Sequence, residues 1–128
     1  KGVLADYAKG VFQGKIFVHP EAQKTDGYQM NRALLLSDKA EIDSKPELEI
    51  YADDVRCSHG ATVGELEEEH LFYLKARGIN AESARRLLVE AYIGEVIDEI
   101  QSQSIKDALS KVASDLLKKK LFERSNER

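Results

Sequence analysis

The spacing of apolar residues changes once along this chain, near residue 64, and that change limits what it can fold into. Before it, apolar residues alternate with polar ones or form short runs, the period of a strand. Leu48, Ile50 and Ala52 alternate with Glu47, Glu49 and Tyr51. After it, apolar residues recur at three and four, the period of a helix. Ala84, Leu87, Leu88, Ala91 and Tyr92 make one such stripe; Ile105, Leu109, Val112 and Leu116 make another, widened by Ala108 and Leu117. The chain therefore reads as mixed β then α, with residues 1–64 as the β part and 65–128 as a helical domain of about three helices.

In the β part, Val11–Val18 reads as a strand stopped by His19-Pro20, because proline removes a ladder donor. Residues 19–29 are polar and contain Asp26-Gly27, a turn signal. Arg32–Ser37 is a short apolar run suited to a strand buried on both faces. Turns are expected at Ser37-Asp38 and Ser44-Lys45-Pro46, a short strand between them at Ala40–Asp43, and a corner at Asp53-Asp54. Only one dipeptide here suits a tight hairpin. Few hairpins favour strands that step forward, as in a parallel β-solenoid. No sequence repeat marks the coils.

In the helical part, Glu65, Glu67, Glu68 and Glu69 crowd the start of a first helix, and Lys75 and Arg77 its end, an order that matches the helix dipole. Gly78 supplies a left-handed position after it. Asn80 is placed to cap a second helix. Its stripe shifts after Gly94 into Val96, Ile97 and Ile100, where a bend is expected. Gln101–Ser104 is a polar break. A third helix follows to about residue 120, with Lys118-Lys119-Lys120 at its end and 123–128 fraying.

The residues that could carry chemistry sit at the changeover. Cys57 is the only cysteine, and His59 follows two places later. On a strand, thiol and imidazole then share a face and could bind a soft metal or handle sulfur. A buried cysteine acting as a small hydrophobe beside an exposed histidine is the plainer alternative. An enzyme on a β-solenoid, with Cys57 as nucleophile and His59 as base, is a third; it needs an orienting group that is not evident nearby. Asp53-Asp54 point to opposite faces and read as a solvated corner, and the glutamates of the first helix as a solvated helix start.

Composition removes several classes. The 128 residues carry a net charge of −4 without a basic stripe, so no nucleic-acid partner is expected. At 42% hydrophobic and 33% charged, the composition is that of a folding chain. No apolar run spans a bilayer, so no membrane partner is expected either. One cysteine rules out an internal disulfide and suits a reducing compartment. No phosphate-binding glycine loop is present. Because the chain opens on Lys1-Gly2 and soon enters strand-like sequence, it is expected to be a piece of a longer protein, open at its first coil and prone to self-association.

Five segments together carry a family resemblance. They are Ala22-Gln23-Lys24-Thr25-Asp26-Gly27-Tyr28-Gln29-Met30-Asn31; Leu34-Leu35-Leu36-Ser37; Pro46 with Leu48-Glu49-Ile50; Asp54-Val55-Arg56-Cys57-Ser58-His59-Gly60-Ala61-Thr62-Val63-Gly64; and Leu71-Phe72-Tyr73-Leu74-Lys75-Ala76-Arg77-Gly78-Ile79. In this order and spacing the chain resembles the SufB/SufD family of iron–sulfur cluster assembly proteins over nearly all of 11–100. The cysteine-containing version resembles the SufD branch. The resemblance implies the last coils of a right-handed parallel β-helix followed by a C-terminal helical domain. It implies a non-enzymatic, cytoplasmic subunit that pairs with SufB through the β-helix and docks the ATPase SufC through its helices, at about 80–100. It also implies that His59, with Cys57 nearby, contributes to a transient iron–sulfur cluster or iron shared with the partner subunit and not stably bound by this chain alone.

Overall fold

The computed structural model describes residues 1–119. The expected helix end at Lys118-Lys119-Lys120 falls partly outside that range, and the expected fraying of 123–128 wholly outside it. Two compact units divide the chain, Lys1–Gly64 and a second beginning at Glu65.

The first unit holds five strands: β1 (Gly2–Leu4), β2 (Lys9–Val18), β3 (Asp26–Leu35), β4 (Glu41–Ile50) and β5 (Arg56–Glu65). They alternate between two sheets, ordered β1-β3-β5 and β2-β4. The pairings are parallel: Gly2 stands beside Ala33, and Lys9 beside Glu41 through to Val18 beside Ile50. The corners repeat as well. Ala8 N–H donates to Ala5 O at 3.0 Å, and Ala40 N–H to Ser37 O at 3.1 Å, so the turns before β2 and β4 share one hydrogen-bond pattern, although Asp6 in the first stands at φ +54° and Asp38 in the second does not take a positive φ. Lys39 Nζ donates to Tyr7 Oη at 2.9 Å and ties one corner to the other. At the opposite corners, Tyr51 N–H donates to Val18 O and Arg56 N–H to Thr25 O. The repeat is one of strand pairing and hydrogen bonding, satisfied by different side chains in each coil.

Two expected turns are absent. Asp26-Gly27 opens β3, and Ser44-Lys45-Pro46 lies within β4, so the expected short strand at Ala40–Asp43 is the start of a longer one. Glycine and proline are turn signals only where no ladder competes for the segment. β4 has a neighbour on one side only, a position that tolerates the N–H missing at Pro46. The corners at Ser37-Asp38 and Asp53-Asp54 are where the sequence puts them. The core is small and rich in alanine: Leu4, Ala33 and Ala40 cluster, with Leu35 and Ile42 against them.

The second unit contains α1 (Glu68–Ala76), α2 (Ala81–Asp98) and α3 (Gln103–Leu117). Glu65 belongs to β5, so α1 starts three residues later than its acidic run suggests. Its end is a Schellman motif. Gly78, at φ +86°, donates to Lys75 O at 3.0 Å, and Ile79 N–H donates to Leu74 O at 3.3 Å. Asn80 caps α2, its side chain accepting from Ser83 N–H at 2.8 Å. α2 is continuous through Gly94. It contacts α1 and α3, so it buries two faces and not one stripe. Ala84 and Val89 are fully buried, whereas Leu87 is 43% exposed. Ile93, Gly94 and Ile97 face Ser110, Ala113 and Leu117 of α3. The apolar stripe expected to bury α3 points away from this contact: Ile105, Leu109, Val112 and Leu116 are all between 42% and 54% exposed. No helix among the described residues is long and apolar enough to cross a membrane.

Candidate functional site

β5 is the last strand of the β1-β3-β5 sheet, hydrogen-bonded to β3 on one side only. The sequence makes this segment a strand through β-branched Thr62 and Val63. Two glycines, Gly60 and Gly64, keep it slim. Among the described residues the second sheet has no strand after β4, and every residue from Ala61 to Glu65 is exposed. Within its unit, β5 is thus an edge strand with an open far half.

Cys57 and His59, two residues apart on β5, lie on one side of it. Their environments differ. The Cys57 thiol is half-buried. A Cβ placed on Gly27 of β3 would lie 3.6 Å from Cys57 Sγ and 3.9 Å from Ile16, so the thiol shares a small apolar recess with a β2 side chain. His59 is exposed. The pair therefore offers one accessible nitrogen donor and one partly sheltered sulfur. Among the described residues, no three His, Cys, Asp or Glu side chains gather closely enough to hold a metal ion.

On the other side of β5, Met30 of β3 lies across Gly60. A Cβ on Gly60 would sit 2.9 Å from Met30 Cε, 3.2 Å from its Sδ and 3.7 Å from Tyr28 Oη. Sequence reasoning assigned no role to Met30 or Gly60. Their meeting depends on β3 lying beside β5, which neither segment announces.

Asp53 and Asp54 sit at an exposed bend. Asp54 N–H donates to Gln23 Oε1 at 2.9 Å, and Asp54 O accepts from Lys24 N–H, so the corner is fastened to the one before it. This is the structural role expected of it.

The face of the β2–β4 sheet that carries Lys9 and Lys15 is a ladder of exposed charge. Lys9 bridges Glu41 and Asp43; Lys15 reaches Glu49 at 2.9 Å; Lys45 reaches Glu47 at 3.0 Å. Tyr51 Oη donates to Glu49 at 2.7 Å. The Tyr51 and Lys15 contacts hold the Glu49 carboxyl below the usual range, and the Lys45 ammonium does the same for Glu47. Glu41 and Asp43 raise Lys9, and Glu49 raises Lys15. This face is paired within itself.

Residues 1–92 match the family model for the SUF system FeS cluster assembly SufBD core domain. The chain is 47% identical over 114 residues to an iron–sulfur cluster assembly SufBD family protein of Synechocystis, covering 89% of this chain and 25% of that protein. It is 45% identical over 106 residues to the iron–sulfur cluster assembly protein SufD of Escherichia coli, covering 83% and 25%. It is 37% identical over 111 residues to SufD of Bacillus subtilis, covering 87% and 25%. The chain spans about a quarter of the length of the curated relatives it matches.

Proposed function

Because this chain belongs to the SufBD family of iron–sulfur cluster assembly proteins, we propose that it is the C-terminal part of a SufD-type assembly subunit, and that its edge strand presents His59 to a nascent cluster. The observation that carries this reading is the exposure of His59 on an edge strand beside a half-buried thiol. A neutral imidazole is an iron ligand, and a thiolate suits iron and sulfur. One of each cannot complete a coordination sphere, so the cluster is cargo shared across an interface.

The finer architecture follows from the same reading. Parallel strands that alternate between two sheets, with corners fastened coil to coil, support the last turns of a right-handed β-helix. The unpaired side of β5 is the surface on which a SufB-type partner would add its own strands and ligands. The helices from Glu68 onward would dock a SufC-type ATPase, since no phosphate-binding loop is present in this sequence. Scaffolding is the reading favoured over catalysis because the relatives are named for assembly; a nucleophile–base role for Cys57 and His59 would need a third group to orient the base. A lone, unpaired thiol suits a reducing, cytoplasmic setting.

The test is His59→Ala in the full-length protein and its complex. Removing an exposed side chain leaves no cavity, so melting should change by no more than what about 0.5 kcal/mol produces. Activity of an iron–sulfur enzyme that depends on the complex should fall sharply. Cys57→Ala should have a milder effect, and the double variant should resemble His59→Ala. Full activity with His59→Ala, or a loss explained by unfolding, would remove His59 from the site.

A further inference from the structure

β3 and β5 touch through two sulfur-bearing side chains, and each of them lies over a glycine of the other strand. Cys57 of β5 rests beside Gly27 of β3, and Met30 of β3 rests across Gly60 of β5. The two contacts climb both strands in the same order and bracket His59 in sequence. They also lie on opposite sides of β5, because residues 57 and 60 are an odd number apart. The bonds at Asp54 and Arg56 fix only the start of β5; beyond them the strand has a single neighbour, and a slip of one residue would turn every side chain to the opposite face. A side chain seated over a glycine on each side resists that slip, because any other register brings a Cβ under the sulfur.

We infer that Met30 is a positioning residue for His59: its thioether, seated over Gly60 while Cys57 is seated over Gly27, locks the register of β5 and fixes where the imidazole stands on the sheet edge. This rests on the reading of His59 as the ligand on this chain. The unbranched thioether suits the task, since it is flexible enough to lie flat across a neighbouring strand. Gly60 is the other half of the device, because a methyl group there would meet the thioether well inside van der Waals contact. The atom it would meet is the free end of a flexible side chain, so Gly60→Ala displaces Met30 without preventing folding.

The experiment is a double-mutant cycle in the full-length protein, read by amide hydrogen exchange over residues 56–65. Met30→Ala should speed exchange of β5 by about tenfold while leaving β2 and β4 protected. Met30→Leu, of similar volume, should restore protection. On the Gly60→Ala background, Met30→Ala should have little further effect, because the thioether has already been displaced; the two substitutions are then strongly non-additive. Assembly activity should follow β5 protection across the series. Additive effects of the two substitutions, or Met30→Ala with wild-type exchange in β5, would overturn the lock. Faster exchange with unchanged assembly would overturn the positioning role. If His59→Ala itself leaves assembly intact, the functional reading fails, and the exchange data still decide the lock on their own.

Discussion

Val89 and Leu87 are two residues apart on α2 and similar in chemistry, yet one is fully buried and the other 43% exposed. The difference is one of direction, because residues two apart on a helix face different ways. A carboxylate at position 89 would lose its water without gaining a partner, a cost of several kcal/mol. Val89→Asp is therefore expected to unfold the helical unit or lower its melting temperature severely. Leu87→Asp places the same charge at a partly solvated position and should change stability by about 0.5 kcal/mol or less. Circular dichroism melting of both variants measures the contrast; equal losses would mean that the buried faces of α2 are misplaced. Periodicity alone selected Leu87, because one stripe is the simplest pattern for one helix. Val89 and Ile93 gain meaning only once α2 is known to lie between two neighbours.

At the scale of elements, much was legible where a local cause decides the outcome. The ends of α1 and α2 follow from Gly78 and Asn80, whose backbone preference and side-chain oxygen act on their immediate surroundings. The placing of Cys57 and His59 on one side of β5 was legible for the same reason, since two residues at i and i+2 share a face in any strand. The segments Asp26-Gly27 and Ser44-Lys45-Pro46 misled because their fate depends on a ladder formed with residues far away in sequence. The three-residue β1 is too short to leave a pattern at all. The β2–β4 pair also sets a pH dependence. Glu47 and Glu49 have depressed folded pKa values, so they bind fewer protons folded than unfolded. Their stabilising contribution is present above the ordinary carboxylate range and is lost as pH falls through the depressed values. Lys9 and Lys15 are raised, so theirs is complete below the ordinary lysine range and is lost as pH rises through the raised values. Stability from this face should therefore form a plateau between the two limbs. All four side chains are exposed, so the limbs should be shallow and should flatten in high salt. Melting against pH at low and high salt, with Glu49→Gln as the comparison, measures it: the variant should lose part of the acid limb. A limb indifferent to both salt and Glu49→Gln would place the acid sensitivity elsewhere.

At the scale of the whole molecule, the helical unit leaves an apolar stripe of α3 uncovered among the described residues. Ser114 Oγ of α3 donates to Glu90 Oε1 of α2 at 3.3 Å, and Gly94 of α2 lines a small cavity with Ser110 and Ala113 of α3, whereas Ile105, Leu109, Val112 and Leu116 point outward. Their 4-3-4 spacing is that of a helix meeting another apolar surface along one seam. A stripe of this kind signals an interaction surface when it is contiguous on an otherwise polar exterior. On the proposed reading the occupant is the SufC-type ATPase, and the seam lies C-terminal to residues 80–100, the stretch expected from the resemblance. The two placements separate cleanly. Leu109→Glu combined with Val112→Glu puts two charges on exposed positions, so melting should stay within about 1 kcal/mol of wild type. Co-purification of the ATPase with the full-length protein should fall by tenfold or more, since charges driven into an apolar seam are desolvated without partners. Leu87→Asp, also exposed but on α2, serves as the matched control. If it abolishes co-purification and the α3 pair does not, the ATPase sits on α2 and the outward stripe of α3 faces something else. If neither variant weakens binding, the helices are not the docking surface.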